Sequence, residues 1–283
     1  VIRIIGISLL LIWVTVNKSV SGVTAGSGVW LLGITIEMVF IALALRHYYG
    51  NFHDVIANLQ NSVSREVNFK RIVKFFIPIA VMAFLARFVQ PVVQSGIIRS
   101  TISTNDLAAY GVSWTLVMIF VGPLDMLHQS SLVFAGDLNK LNWKKILLFS
   151  LGAGLSVSII IALIALTPLG DFILLDLISV SPVIAEIVKK VVITFLFFPV
   201  IRAFRETFWG ILMQRQTTEI IALAKIVGLI FVVLVFALLV FTTSLNSAII
   251  AAAALSAGEA ADAVTVYIYI KRNQVLRKIY KAA

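Results

Sequence analysis

The chain has 283 residues, 60% of them hydrophobic and 13% charged, with a mean hydropathy of +1.05. No soluble core of that size hides so much apolar surface, so the composition specifies an integral membrane protein. The formal charge of +10 does not point to nucleic acid, because the basic residues follow the connections between apolar stretches, and the lack of cysteine excludes disulfides, thiolate metal sites and cysteine nucleophiles.

In chain order, windows of about 20 apolar residues give about eight candidate spans, at 2–17, 28–48, 72–99, 107–135, 145–167, 184–213, 217–242 and 246–270. Alternating strands of the lipid-facing barrel type are absent, so the expected class is all-α, a polytopic helical bundle whose helices satisfy their own backbones. The first run is apolar from Val1 and is followed by NKSVSGVTAGSG, with no cleavage pattern of a signal peptide. Residues 1–48 therefore read as two spans, 49–71 as a connector and 72–283 as six spans with a basic tail. In the connector Phe52, Val55, Ile56, Leu59 and Val63 recur at helical intervals, the pattern of an amphipathic helix on the membrane surface. The stretch after Thr167 reads as a short interfacial helix, because Asp171 and Asp176 interrupt it.

Arg46, Arg65, Lys70, Arg71, Lys74, Lys140, Lys144, Lys145, Arg215 and the tail residues Lys271, Arg272, Arg277, Lys278 and Lys281 fall on one set of connections. The positive-inside rule makes that set cytoplasmic, with both ends inside, in a plasma or inner membrane. The phosphate-binding pattern GxxxxGK[ST] does not occur, so transport would draw on a gradient or on another chain.

Ionisable residues inside the spans carry the functional reading. Arg87 lies near the middle of the third span, where an arginine disfavours insertion by roughly 2.5 to 3.5 kcal/mol and so faces a bundle interior or a wet cavity. Gln90 and Gln94 follow at helical spacing, making one wall polar and cationic, as a site for a small anionic substrate requires. The competing role for Arg87 is an ion pair with Glu37, Glu259 or Asp262 that ties helices together. Arg202 and Arg205, beside Glu206, are candidate anion contacts from the cytoplasmic side, and an internal Arg202–Glu206 pair is the structural alternative. Glu259 and Asp262, in AAAALSAGEAADA, are candidate carriers of a coupling proton or cation, since close packing explains the alanines but not the carboxylates. Asp125 and His128 form a candidate proton relay, or else a hydrogen-bonded pair holding a Gly-Pro break. Pro78, Pro91, Pro123 and Pro199 interrupt four spans.

Several segments resemble the progressive ankylosis (ANK) family of transporters: YYGNFHDVI, FFIPIAVMAFLARFVQPVV, ILLDLISVSPVIAE, FFPVIRAFRETFWGILM and VYIYIKR. LAAYGVSWTLVMIFVGPLDMLHQSS is similar to the eighth helix of multidrug and toxic compound extrusion (MATE) transporters. The resemblance implies a MATE-like fold of twelve helices in two lobes, of which this chain would hold the last two helices of the first lobe and the whole second lobe, with an N-terminal segment missing. It implies secondary active export of an organic or phosphate-type anion by alternating access, with Arg87 and Pro91 the closest matches. Rivals are a MATE-type multidrug exporter, a lipid-linked saccharide flippase, and a non-transporting membrane scaffold. The expectation is a transporter and not an enzyme, with no cofactor and no metal, and with the lipid bilayer, a small anion and a coupling proton or cation as its partners.

Overall fold

The computed structural model describes residues 22–50, 69–100, 104–134 and 140–273. The described residues are almost all helical, with no strand among them, and the chain divides into two compact units, 1–68 and 69–283. Helix α1 (Gly22–Tyr49) belongs to the first unit. The second unit contains α2 (Phe69–Ser100), α3 (Thr104–Val121), a 3-10 segment (Gly122–Met126), α4 (Leu127–Phe134), α5 (Lys140–Leu166), α6 (Pro168–Asp171), a π-helical turn (Phe172–Leu177), α7 (Pro182–Thr194), α8 (Phe198–Gln214), α9 (Glu219–Thr242) and α10 (Ser247–Arg272).

Six stretches among the described residues are long and apolar enough to cross a membrane: Leu31–Tyr48, Ile72–Ser100, Thr104–Phe134, Trp143–Leu166, Glu219–Thr242 and Ser247–Arg272. Two of the eight expected spans are not among them. The run at 2–17 lies outside the described residues, as does the amphipathic pattern of residues 51–68. The run at 184–213 is cut by a turn at residues 195–197 into α7 and α8, neither of which alone reaches the length of a span. Pro199 gives the reason. It has no N–H to donate and its ring clashes with the carbonyl four residues back, so the chain turns and restarts with the proline in the first turn of α8.

The other prolines behave differently from one another. Pro123 opens the 3-10 segment between α3 and α4, whereas Pro78 and Pro91 both sit inside α2 without ending it. After Thr167 the chain forms the short α6 and the π-helical turn rather than another span, with the Thr167 side chain accepting from the Leu169 N–H at 3.3 Å.

Within the second unit, α9 and α10 are the most closely packed pair, α2 leans chiefly on α9, and α8 is surrounded by α5, α4 and α10. Two large apolar clusters fill most of the interior, beside a small third one of Leu124, Leu127 and Ala203. One gathers Val93, Ile97, Tyr110, Val117, Val188, Phe195, Phe198, Ala251 and Leu255, the other Trp143, Phe208, Trp209, Leu212, Ile221, Ala224 and Val266. Along α8, α9 and α10 the residues between these clusters include Arg202, Arg205, Lys225, Glu259 and Asp262. Large apolar side chains that remain outside, such as Phe76, Phe84, Leu148, Phe149, Leu234 and Phe241, are exposed along the spans, as lipid contact requires.

Candidate functional site

Arg202, Arg205, Glu206 and Trp209 recur on α8 at intervals of three or four residues, so they share one face, and that face is turned into the unit. Glu259 and Asp262 are three apart on α10 and point at the same region, and Lys225 reaches it from α9. The break at Pro123 brings Asp125 and His128 to the edge of the same cluster.

Glu259 is the hub. Its carboxylate receives Arg202 Nη1 at 3.2 Å, Lys225 Nζ at 3.2 Å and Arg205 Nη1. Arg202 also holds Asp125 with two donors, Nε to Oδ1 at 2.6 Å and Nη2 to Oδ2 at 3.0 Å, the fork geometry that suits a guanidinium to a carboxylate. Arg205 is almost fully buried; its Nη2 donates to Glu206 Oε1 at 2.5 Å, and its guanidinium lies 4.2 Å over the Trp209 ring. The expected Arg202–Glu206 pair is therefore replaced by Arg202 with Asp125 and Glu259, and by Arg205 with Glu206.

Asp125 and His128 adjoin, but not through the Asp125 carboxylate. His128 Nδ1 lies 2.6 Å from the Asp125 carbonyl oxygen and 3.1 Å from Glu206 Oε2. Both partners are acceptors at neutral pH, so Nδ1 carries the hydrogen, and protonation at Nε2 decides the charge. His128 thus links α4 to α8 through Glu206, with 23% of its side chain exposed.

Asp262 is the exception in this set. It is fully buried, 3.5 Å from Lys225 Nζ and 3.6 Å from Arg205 Nη1, and neither of its carboxylate oxygens receives a hydrogen bond. Gly228 and Gly258 bring the backbones of α9 and α10 together beside it. A Cβ added at Gly228 would stand 2.9 Å from the Gly258 carbonyl oxygen and 3.3 Å from Asp262 Cβ.

Arg87 lies elsewhere. It is exposed on α2, midway along the span Ile72–Ser100, and no ion pair or hydrogen bond engages it among the described residues. Gln94, two turns on, is exposed on the same side, while Gln90 turns toward α3 and accepts from the Tyr110 hydroxyl at 2.8 Å, leaving its amide Nε2 buried and without a partner. Glu259 and Asp262, two of the carboxylates considered as structural partners of Arg87, are occupied by Arg202, Arg205 and Lys225.

The family model described as progressive ankylosis protein (ANKH) matches residues 63–268, a stretch that includes Arg87 and every member of the charged cluster. The chain belongs to the progressive ankylosis protein family. Membership agrees with the segments from the third span onward on which the resemblance rested, and a membrane transport role for anions is consistent with it.

Lys225 was missed in the sequence. Seven residues into an apolar helix, a lysine is ordinarily read as one that extends its stem and returns its ammonium to the interface, yet here the side chain turns inward and is buried. The same search that singled out Arg87 would have found it, because it is an ionisable residue inside the most apolar of the six spans. Asp106 was also passed over; on α3 it accepts from Asn246 Nδ2 at 2.7 Å and Ser247 Oγ at 2.9 Å, and so fastens the start of α10.

Proposed function

We propose that this protein is a secondary transporter that exports an organic or phosphate-type anion by alternating access, with Arg87 as the anion contact. The observation that carries the proposal is an exposed arginine at the middle of a membrane span with no partner among the described residues. A permanent cation facing hydrocarbon at that depth is disfavoured by roughly 2.5 to 3.5 kcal/mol, so Arg87 faces water or a polar surface, and a mobile anion is its natural counter-charge. Gln94 beside it and the free amide of Gln90 supply neutral donors for the remaining oxygens of such an anion. Arg202 and Arg205 are already engaged by carboxylates, and we assign them with Asp125, His128, Glu206, Glu259 and Asp262 to a coupling layer that responds to a proton or cation.

A cationic-drug exporter is disfavoured by the positive charge on α2, and a lipid-linked saccharide flippase remains an outcome of the substrate test. The self-compensated cluster favours one other reading, in which the charges only join helices and the protein is a scaffold. We place both ends and the connector on the cytoplasmic side, following the basic residues.

The test is uptake into liposomes containing the purified protein, with pyrophosphate, citrate and a nucleotide offered separately. Arg87→Gln should weaken the interaction with the transported anion roughly 10- to 100-fold and Arg87→Lys by less, because a hydrogen bond to a charged group contributes roughly 1.5 to 3 kcal/mol and lysine offers only a point charge. Unchanged transport of every anion by Arg87→Gln removes Arg87 from the site, and no transport of any of them by the native protein favours the scaffold.

A further inference from the structure

We propose that the coupling ion of this protein is a proton and that it is taken up by Asp262. The inference rests on the transport reading for its purpose, but its evidence lies in the cluster alone. Four carboxylates, Asp125, Glu206, Glu259 and Asp262, meet three permanent cations, Arg202, Arg205 and Lys225, in a layer of the second unit that is buried at its centre and open at the Asp125 rim. With His128 neutral, one negative charge is therefore in excess in this cluster. An uncompensated charge in such surroundings is costly and is removed by taking on a positive charge.

The hydrogen bonds single out the group that accepts it. Both oxygens of Asp125 are held by Arg202, those of Glu206 by Arg205 and His128, and those of Glu259 by Arg202, Arg205 and Lys225. Only Asp262 keeps two buried oxygens to which nothing donates. Neutralising it sacrifices no hydrogen bond, whereas neutralising any of the others releases a guanidinium, an ammonium or an imidazole.

The same geometry argues against a metal ion. A hard cation needs several free oxygens, and Asp262 offers the only two in the cluster. Lys225 Nζ at 3.5 Å and Arg205 Nη1 at 3.6 Å stand where such an ion would sit and repel it. Among the described residues no group of three or more His, Cys, Asp and Glu side chains is arranged to hold a metal. A proton needs no coordination shell: it leaves water, forms an O–H bond on one Asp262 oxygen, and turns a carboxylate into a neutral acid.

The remaining charged groups on neighbouring helices do not alter this count. Asp106 on α3 is occupied by Asn246 and Ser247, Glu186 pairs with Lys190 on α7, Lys189 pairs with Asp171, and Lys74 on α2 faces Glu219 at 4.0 Å. His128, partly exposed at the rim, is the titratable group through which the proton enters. Protonation of Asp262 loosens its hold on Lys225 and Arg205 at the place where Gly228 and Gly258 bring α9 and α10 together. Helix α9 is also the main support of α2, so the proton acts on the helix that carries Arg87.

Infrared difference spectroscopy of the purified full chain, without any anion, tests this directly. The folded protein should show the carbonyl stretch of a protonated carboxylic acid, shifted by heavy water and titrating with pH. Asp262→Asn imitates the protonated state, so it should fold and lack the band. Lys225→Met removes a cation and should raise the band roughly twofold, because two carboxylates are then in excess. Absence of the band at every pH at which the native protein is folded, or its survival in Asp262→Asn, overturns the proposal. If Asp262→Asn does not fold, Lys225→Met decides: a stronger band supports the proposal and an unchanged one refutes it. Arg87→Gln should leave the band intact, so failure of the anion reading in the liposome assay and failure of the proton site are separate results.

Discussion

Replacing Glu259 by Gln should unsettle the second unit, and the size of the effect follows from which partners remain. Gln keeps the shape and one acceptor but removes the charge that three cations share. Arg202 retains Asp125, and Arg205 retains Glu206. Lys225, only 7% exposed, retains nothing closer than Asp262 at 3.5 Å, so the loss falls mainly on it. Removing one partner of a buried pair costs roughly 3 to 5 kcal/mol. If Asp262 answers by giving up its proton, part of that is recovered, and the expected loss is about 3 kcal/mol, or about 100-fold in the unfolding equilibrium. Equilibrium unfolding in mixed micelles measures it. Adding Lys225→Met to Glu259→Gln removes the stranded ammonium and should restore most of the stability, with a coupling between the two positions on the order of 2 to 3 kcal/mol. A Glu259→Gln protein as stable as the native one, or a double variant no better than the single, would refute the view that Glu259 holds the cluster together.

The rim of the cluster should matter less than its centre: a double-mutant cycle between Arg202 and Asp125, whose side chains are 15% and 31% exposed, should give about 1 to 2 kcal/mol. A coupling larger than that between Lys225 and Glu259 would place the centre wrongly. Gly228→Ala should destabilise by about 1 to 3 kcal/mol through its clash with the Gly258 carbonyl and Asp262, whereas Gly152→Ala, with nothing within 4 Å of the added carbon, should be neutral or stabilising by up to about 1 kcal/mol. Equal effects in thermal unfolding would argue against the close crossing of α9 and α10. Because the chain has no cysteine, single cysteines report sidedness directly. Those at Asn61 and Lys281 should resist an impermeant thiol reagent in intact cells and one at Ala25 should react, and labelling of Asn61 from outside would reverse the orientation.

The sequence by itself determined the membrane class, the helical architecture and all six described spans within a few residues, because hydrocarbon solvent imposes long apolar runs that composition reveals. It also exposed Arg87, Arg202, Arg205, Glu259 and Asp262, since an ionisable residue inside such a run stands out against its neighbours. Partnership was not legible. Helical spacing offered Arg202 to Glu206, four residues on, but α8 turns that face toward α10 and α9, and the nearer carboxylates come from Asp125 and Glu259, distant in sequence. Lys225 was hidden for the same reason: near the end of a span a lysine usually escapes to the interface, and only the packing of α9 on α10 directs it inward. Periodicity also ran through residues 195–197, where the missing N–H of Pro199 divides what hydropathy reads as one span. Which charges lie in the membrane is thus a property of the chain's composition, while which of them are compensated depends on helix contacts that only the tertiary structure decides.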